Sequence, residues 1–573
     1  MEDLEKTATT GHSEPELGDT TQIRSYPTLQ DENTHGHLQR KLQSRHIQLI
    51  AIGGTIGTSL FLGIGSALTK AGPLSLLLGF TITGFAIWGV MQCLGEMATW
   101  LPVPGAIPQF CARYVDDALG FAVGWNNWYF CAIVLCLEID AAAVVIDYWE
   151  GARGISPAVW ISLLIVLVLF LNAFAVSIYG EAEFIFASIK IVAIIGLLIL
   201  SVCIDLGGTP KHDRLGFRYW KHPGAMKELA PASGNTGRFL GFFSCLVTAA
   251  FTFGGIETVV VSAGETLNPR KAIPKAIRRV FWRILIFYVL GTLAVGVMVP
   301  YTDKNLLGAQ SSGAPGAAQS PWVIAITEAG IPILPSIINA VILTSAASSA
   351  NGFLYNGSRY LYALAQNKHA PSFLLKCTKS GIPIYCVGLT GAISLITYMA
   401  ISAGGANVFA WFANIITVAS LFTWGSVCIA FLRFRKAQMI MGLHNEARPF
   451  ISKFQPYTAY LTLGFCVLII VFNGFDVFLS GNWNVSNFLV AYIGIPIFFL
   501  LYGFWKLAKK SRLIPIAEID ILSGKDEIDQ LEALWIQPDP KNIFEKVHSA
   551  LHVCSSPQAD ISLGLDVGCL TEV

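Results

Sequence analysis

Long apolar blocks run through the sequence, and they restrict the fold more than any other feature. About a dozen of them reach roughly 20 residues, which lets a helix cross a ~30 Å hydrocarbon core. Lipid offers no partner for unpaired backbone groups, so a block that crosses it is expected to be helical. Only 13% of the 573 residues are charged, against about 25% in soluble domains. The pattern predicts an all-α polytopic membrane protein.

We predict about twelve transmembrane helices in a membrane domain over residues 47–508. The predicted spans are 47–69, 74–100, 119–148, 157–178, 183–205, 238–263, 279–300, 332–362, 383–403, 406–432, 457–478 and 486–508. A polar N-terminal tail over residues 1–46, predicted to be disordered, and a C-terminal tail over residues 509–573 flank this domain.

Lysine and arginine are distributed unevenly between the loops, and this sets the predicted orientation. Basic residues precede the first span and recur after the sixth, eighth, tenth and twelfth, whereas the alternate short loops carry few. Short loops rich in Lys and Arg stay in the cytosol; the long 206–237 segment is also basic, but long loops follow this rule poorly. Both termini are therefore predicted to be cytosolic.

Charge, cysteine and histidine usage exclude several functions. The balance of 38 Lys+Arg against 37 Asp+Glu leaves no basic excess for nucleic-acid binding. The 12 cysteines are scattered and no histidine lies in a predicted span, so we expect neither a metal nor a cofactor. An enzyme would need a nucleophile–base or metal constellation, and the predicted spans show none. We therefore expect a protein that is not an enzyme.

Glycine interrupts two of the blocks near their centres. The first carries Gly53-Gly54-Thr55-Ile56-Gly57-Thr58-Ser59, and the sixth carries Phe251-Thr252-Phe253-Gly254-Gly255-Ile256-Glu257. Unwinding there would release amides that bind an anion and carbonyls that bind a cation. A zwitterion needs both. Close helix packing at the Gly53-x-x-x-Gly57 motif is the alternative, but a second interrupted block five spans later favours a binding site.

Three ionisable residues lie inside apolar blocks: Glu138, Lys190 and Glu257. Each costs about 2.5–3.5 kcal/mol at the bilayer centre, so each requires a partner or a function. A low-dielectric environment disfavours the charged form, which suits residues that take up and release protons. The alternatives are that Lys190 reaches the cytosolic interface and that Glu257 is structural.

Several strings occur in an order typical of one family. Besides the two glycine motifs they are Leu94-Gly-Glu-Met97, Ile178-Tyr-Gly-Glu-Ala-Glu-Phe184, Phe186-Ala-Ser-Ile-Lys190, Gly264-Glu-Thr-Leu-Asn-Pro-Arg-Lys271, Ser358-Arg-Tyr-Leu-Tyr-Ala-Leu364 and Ile519-Asp-Ile-Leu-Ser-Gly524. From about residue 44 to about residue 525 the chain resembles the fungal amino-acid permeases of the amino acid–polyamine–organocation superfamily.

The resemblance implies a five-plus-five inverted-repeat core with broken helices 1 and 6, followed by two further helices. It implies uptake of L-amino acids across the plasma membrane by proton symport with alternating access. Its partners would be the amino acid, protons and the lipid bilayer. Ubiquitin-ligase machinery acting on the cytosolic tails, at lysines such as Lys6 and Lys41, follows from the same resemblance.

The resemblance also assigns roles to residues. The hydroxyl of Thr58 and the amide of Ser59 would face the substrate carboxylate. The neighbouring residues Ile56 and Gly57 of the same glycine motif would also belong to the substrate site. Main-chain oxygens near Thr55, Phe251 and Gly254, beside Gly255, would hold its ammonium group, and Phe253 would be an aromatic gate. Proton coupling would involve the set Glu138, Lys190, Glu257, Ser348 and Ser349.

One departure bears on the substrate, because Ser59 stands where the family usually has glycine. A side chain there would narrow the pocket or add a hydroxyl group. The stretch Ser244-Cys-Leu-Val-Thr248 places no charge ahead of the sixth-block break, which favours neutral substrates or a broad range. The alternative function is a non-transporting or dual-role amino-acid sensor, although the N-terminal tail is short for such a receptor.

Overall fold

The computed structural model describes residues 56–103, 105–152, 154–174, 176–263, 269–311, 320–378, 381–443, 449–526 and 528–529. Within these ranges every regular element is helical, as the apolar blocks predict. The chain divides into two compact units, Met1–Lys525 and Asp526–Val573. The first contains all the membrane helices.

The membrane helices are numbered in chain order. They are α1 Ile64–Ala71, α2 Pro73–Trp100, α3 Asp117–Ile146, α4 Pro157–Phe174, α5 Val176–Asp205, α6 Gly234–Thr252, α7 Pro269–Met298, α8 Leu334–Gln366, α9 Ile384–Ala403, α10 Gly405–Ile440, α11 Tyr457–Phe472 and α12 Gly494–Lys509. A π-helical turn, Ser59–Gly63, leads into α1, and a short helix, Thr258–Ala263, continues α6 after a break.

Eight helices of the described part are long and apolar enough to cross a membrane, and a bent pair, Val485–Tyr492 with α12, makes a ninth. The other three predicted spans correspond to α4, which is shorter, and to the interrupted segments that contain α1 and α6. The all-α polytopic architecture is thus confirmed. The helices that fail the length test are mainly those that glycine was expected to break.

Two helices lie at the centre of the bundle and position the site. In its most apolar stretch α3 is 83% buried and α10 78%, whereas α5 is only 28% buried. Helices α8 and α10 both pack along α3. Apolar side chains on the outer helices, such as Val192 and Leu500, are largely exposed, which is what a lipid-facing surface requires.

Helix ends extend beyond several predicted spans. Helix α7 begins at Pro269, ten residues before the predicted start at 279, and its extra turns carry Arg270, Lys271 and Lys275. Helix α5 begins at Val176 rather than 183. Polar residues can continue a helix beyond the apolar block. Spans predicted from hydropathy are therefore shorter than the helices α5 and α7.

Residues 513–525, called here the C-terminal strap, pack against one end of the bundle. Arg113 donates from Nε to the carbonyl of Asp520 (2.6 Å) and from Nη2 to the carbonyl of Ser523 (2.7 Å). The Trp100 indole donates to the carbonyl of Ile521 at 2.7 Å, and the Ile521 side chain is fully buried. The strap ties the last membrane helix to the segment between α2 and α3.

Candidate functional site

The first break lies where the chain enters the π-helical turn before α1. Residues Ile56 to Thr58 are not helical, and the Thr58 amide donates to both carboxylate oxygens of Glu138 on α3, at 3.3 and 3.2 Å. The approach is so close that a Cβ on Gly57 would overlap Glu138 Oε1. A helix start favours a negative charge, and here the carboxylate of Glu138 on α3 occupies that position.

The second break separates α6 from its short continuation. The four residues after Phe253 form turns, and Gly255 has φ +88°, in the region that favours glycine. The amide and the hydroxyl of Thr258 both donate to the Gly255 carbonyl, at 3.1 and 2.6 Å. The predicted glycine break in the sixth block is therefore present, and the chain becomes helical again at Thr258.

The two interrupted segments touch each other and α8. A Cβ on Gly63, in the turn before α1, would lie 3.5 Å from the Phe251 ring of α6. On α8, Ser345 Oγ donates to the Ile56 carbonyl at 3.0 Å. The unwound backbone of the first segment thus has a protein partner, which is the condition under which membrane-embedded breaks are stable.

Two adjacent serines on α8 connect three helices. Ser349 Oγ donates to Glu138 Oε1 at 3.1 Å. Ser348 Oγ donates to Glu183 Oε2 at 2.8 Å and accepts from Lys190 Nζ at 3.0 Å. The serine pair therefore joins the α5 acid and amine to the α3 glutamate at the first break.

Buried charges surround this connection. Lys190 interacts electrostatically with Glu183, Glu138 and Arg283, and all four side chains are at most 3% exposed. The group contains two acids and two bases, so their formal charges cancel. Buried charges are tolerated when they are paired and hydrogen-bonded.

Glu257 follows the second break and bonds to α10. The Trp424 indole donates to Glu257 Oε2 at 3.1 Å, and both residues are buried. On the same helix, Ser420 Oγ is buried with no hydrogen-bond partner in the part of the chain that the structure describes. It lies 3.0 Å from the position of a Cβ on Gly254, so a polar atom faces the break.

The structure brings most of the predicted site residues together around the breaks. Phe251 packs edge-on to Phe409, close to Gly63. Phe253 is fully buried and stacks on Tyr288 of α7 with ring centroids 4.3 Å apart. Thr55 lies outside the described residues, as do Gly53 and Gly54. The roles assigned to these residues stay predictions.

Sequence reasoning missed four residues of the site: Glu183, Arg283, Ser420 and Trp424. Glu183 and Arg283 lie at or near predicted span boundaries, where a charge was expected to be interfacial. The usable signal for Glu183 was its spacing from Lys190, about two helical turns, which places both on one face of α5. Ser420 and Trp424 carried no signal, because a serine or tryptophan in an apolar block is ordinary.

The arrangement suits binding and proton exchange. Glu138 bonds the Thr58 amide at the first break, and the serine pair on α8 connects this contact to Lys190 and Glu183. No group of three or more His, Cys, Asp or Glu side chains arranged to hold a metal occurs among the residues that the structure describes.

Comparison with known families decides the class of protein. Residues 46–515 match the model of the family described as "Amino acid permease". The chain belongs to this amino acid permease family. Its members are transporters rather than enzymes, so this permease is a multi-pass membrane protein that carries amino acids.

Curated relatives from fungi match almost the whole permease. It is 48% identical over 498 residues to "Probable proline-specific permease put4" of Schizosaccharomyces pombe, covering 86% of this chain and 90% of that one. It is 43% identical over 525 residues to "Proline-specific permease" of Emericella nidulans, covering 91% and 94%. This level of similarity makes the permease a fungal-type member of the superfamily.

A solved structure supports the fold. The permease superposes on the Eremococcus coleocola manganese transporter with a TM-score of 0.51 at 12% sequence identity, covering 82% of this chain and 98% of that one. At this identity the likeness concerns the fold alone. It agrees with the all-α polytopic architecture described above.

Proposed function

We propose that this permease imports proline, or a neutral amino acid of similar size, across the plasma membrane together with protons. Two relatives at 48% and 43% identity carry the name proline-specific permease, the first as probable. The site contributes an independent argument, because its contacts match a zwitterion with a small apolar body.

The contact between Glu138 and the Thr58 amide carries the proposal. It supports the proposal because a side-chain carboxylate lies at the first break, with both oxygens within 3.3 Å of one backbone amide. A substrate carboxylate has the same chemistry. We place it against the adjoining amide of Ser59 and the hydroxyl of Thr58, where the helix start favours a negative charge.

The second break would hold the ammonium group. We assign it to the carbonyl oxygens of Phe251 and Gly254, because the secondary ammonium of proline has two N–H donors. The Phe251 carbonyl already accepts the Gly254 amide at 3.0 Å and would use its second lone pair. The Gly255 carbonyl is already occupied by Thr258. On this assignment the first break would bind the substrate carboxylate through N–H groups, and the second would bind the ammonium group through C=O groups.

The walls of the second break favour a neutral side chain. The atoms nearest to a Cβ built on Gly254 or Gly255 include rings of Phe130 and Phe353 and the hydroxyl of Ser420. The two rings lie edge to face with centroids 5.8 Å apart. An apolar ring packs favourably there, whereas a charged side chain would lose hydration.

Proton coupling would use the α8 serines. Ser349 bonds Glu138 at the substrate break, and Ser348 bonds Lys190, so a proton change at the amine alters the electrostatic environment of the carboxylate that occupies the Thr58 amide. Glu257 would respond at the second break through its bond to Trp424. A potential of about 100 mV supplies about 2.3 kcal/mol per charge, enough for roughly fifty-fold accumulation.

The predicted orientation completes the proposal. The strap and the segments before α3 and after α8 meet at one end of the bundle, and the basic loops predict that this end is cytosolic. Both termini would then lie in the cytosol, where ubiquitin ligases could act on the tails. Lys6 and Lys41 lie outside the described residues.

Uptake of labelled proline by cells that lack their own proline transport tests the proposal. We expect saturable uptake that proline competes for better than lysine or glutamate, and that a protonophore abolishes. Binding without flux would indicate a sensor instead. Uptake that a protonophore leaves unchanged would contradict symport, and stronger competition by charged amino acids would contradict the substrate class.

A further inference from the structure

Glu183 is a buried carboxyl group for which neither the substrate contacts nor the predicted coupling set gives a role. It is 1% exposed and lies on α5, about two helical turns before Lys190. Its Oε2 accepts a hydrogen bond from Ser348. Its Oε1 is buried and has no hydrogen-bond partner among the residues that the structure describes.

We propose that Glu183 takes the proton from Lys190 through Ser348 and passes it toward the cytosol. This inference rests on the proposed function, because it assigns the inner step of proton symport. The observation behind it is the unbroken sequence of hydrogen bonds from Lys190 Nζ to Ser348 Oγ and from Ser348 Oγ to Glu183 Oε2, at 3.0 and 2.8 Å.

The transfer balances in protons and charge. An N–H bond of the Lys190 ammonium breaks and its proton binds Ser348 Oγ, while the former Ser348 hydroxyl proton binds Glu183 Oε2. Ser348 is chemically unchanged afterwards. Lys190 becomes a neutral amine and Glu183 a neutral carboxyl group, so the net charge of the pair stays zero and no uncompensated ion is left in a low-dielectric region.

Direction follows from the position of Glu183 on α5. On the predicted orientation α5 runs from the cytosol outward, so Glu183 lies about 10 Å nearer the cytosol than Lys190. The unpartnered Oε1 leaves one side of the carboxyl group for a water molecule from the cytosolic side, which would take the proton and leave Glu183 as a carboxylate. The other charged groups near Lys190 are Glu138 on α3 and Arg283 on α7.

The test compares net uptake with exchange in proteoliposomes that contain the full-length E183Q variant. Glutamine resembles the protonated carboxyl group, so substrate-loaded exchange, which needs no net proton transfer, should stay within about twofold of wild type. Accumulation of labelled proline driven by a pH gradient should fall at least about tenfold, within the range of typical coupling energies. E183D should restore part of the coupled uptake.

Two controls make the outcome specific. S348A removes the bridging hydroxyl and should reproduce the selective loss. S188A changes a serine of α5 that, among the residues the structure describes, bonds only the Phe184 carbonyl of its own turn, and it should behave as wild type. If E183Q does not reach the membrane, S348A decides alone. Wild-type coupled uptake in E183Q or, failing that, in S348A would overturn the proposal, as would equal loss of exchange and coupled uptake.

The failure of the underlying function is distinguishable from the failure of this inference. If wild-type vesicles show proline uptake that no pH gradient or protonophore alters, proton symport itself is wrong. If wild-type uptake is coupled and E183Q is coupled equally well, only the role of Glu183 is wrong.

Discussion

The backbone amide of Thr58 and the carboxylate of Glu138, eighty residues apart in sequence, are bonded at 3.3 and 3.2 Å inside the bundle. The contact places an acidic side chain on the same kind of helix start that an amino-acid carboxylate would occupy. On the proposed placement, the substrate carboxylate would compete with Glu138 for similar electrostatic stabilisation. A proton on Glu138 would remove its charge and with it the competition, which would give a physical route from proton binding to substrate binding.

Replacing Glu138 with glutamine tests this competition. E138Q keeps the size of the side chain and an acceptor oxygen, but it removes the charge and the proton site. We expect proline binding that no longer varies with pH, and a loss of pH-driven accumulation of about tenfold or more. Equilibrium binding of labelled proline at several pH values, with tracer uptake, measures both. Unaltered pH dependence would contradict the competition.

Lys190→Met tests the buried amine. Methionine is similar in length and apolar, so it fits the same cavity without an ammonium donor for Ser348. We expect normal amounts of protein at the cell surface with uncoupled or abolished proline uptake. The control is Lys221→Met, at an exposed lysine in the loop before α6. If the Lys190→Met variant accumulates proline to the wild-type level with the same dependence on pH, the coupling role is refuted.

Gly255→Val tests the unwound backbone of the sixth span. The φ of +88° disfavours any L side chain by about 1–2 kcal/mol, and a Cβ there would lie 2.8 Å from the Phe353 ring. We expect proline affinity to fall at least about tenfold. Gly464→Val is the matched control, because no described atom outside its own stretch of helix lies within 4 Å of its Cβ position. Wild-type affinity in Gly255→Val would reject the carbonyl site.

Arg113→Ala tests the strap. Its guanidinium donates to two strap carbonyls and pairs with Asp520 at 3.0 Å. Hydrogen bonds from a charged donor predict a loss of about 2 kcal/mol, measured as a lower melting temperature in detergent. Arg512→Ala, at an exposed ion pair, should change the melting temperature little. If both variants lower the melting temperature equally, the strap contacts of Arg113 stabilise the fold no more than an exposed ion pair does.

The same contact predicts a pH dependence. Burial acts to raise the pKa of Asp520, but hydrogen bonds from Ser523 and the charge of Arg113 outweigh it and lower that pKa below its usual value. A lowered pKa stabilises the strap above the ordinary aspartate value near 4. The difference in melting temperature between wild type and Asp520→Asn should be constant above about pH 5. It should shrink as the pH falls through the folded-state pKa, and a difference that grows on acidification would contradict this sign.

The sequence was sufficient for the helical class, the two breaks and three of the buried charges, because each depends on composition within one block. Glu257 and Lys190 stand out as ions among apolar neighbours. Partners could not be predicted in the same way, since Trp424 meets Glu257 only through the packing of α10. Glu183 was missed because the predicted span began at that residue, whereas α5 begins at Val176 and buries it.

Proton movement caused by the substrate tests the central claim most directly. Purified permease is reconstituted in vesicles that contain a pH-sensitive dye, with the interior negative, and proline is added outside. The account predicts prompt acidification of the lumen that saturates with proline concentration and is absent in Lys190→Met vesicles. Labelled proline that enters the vesicles without any change in internal pH would contradict it.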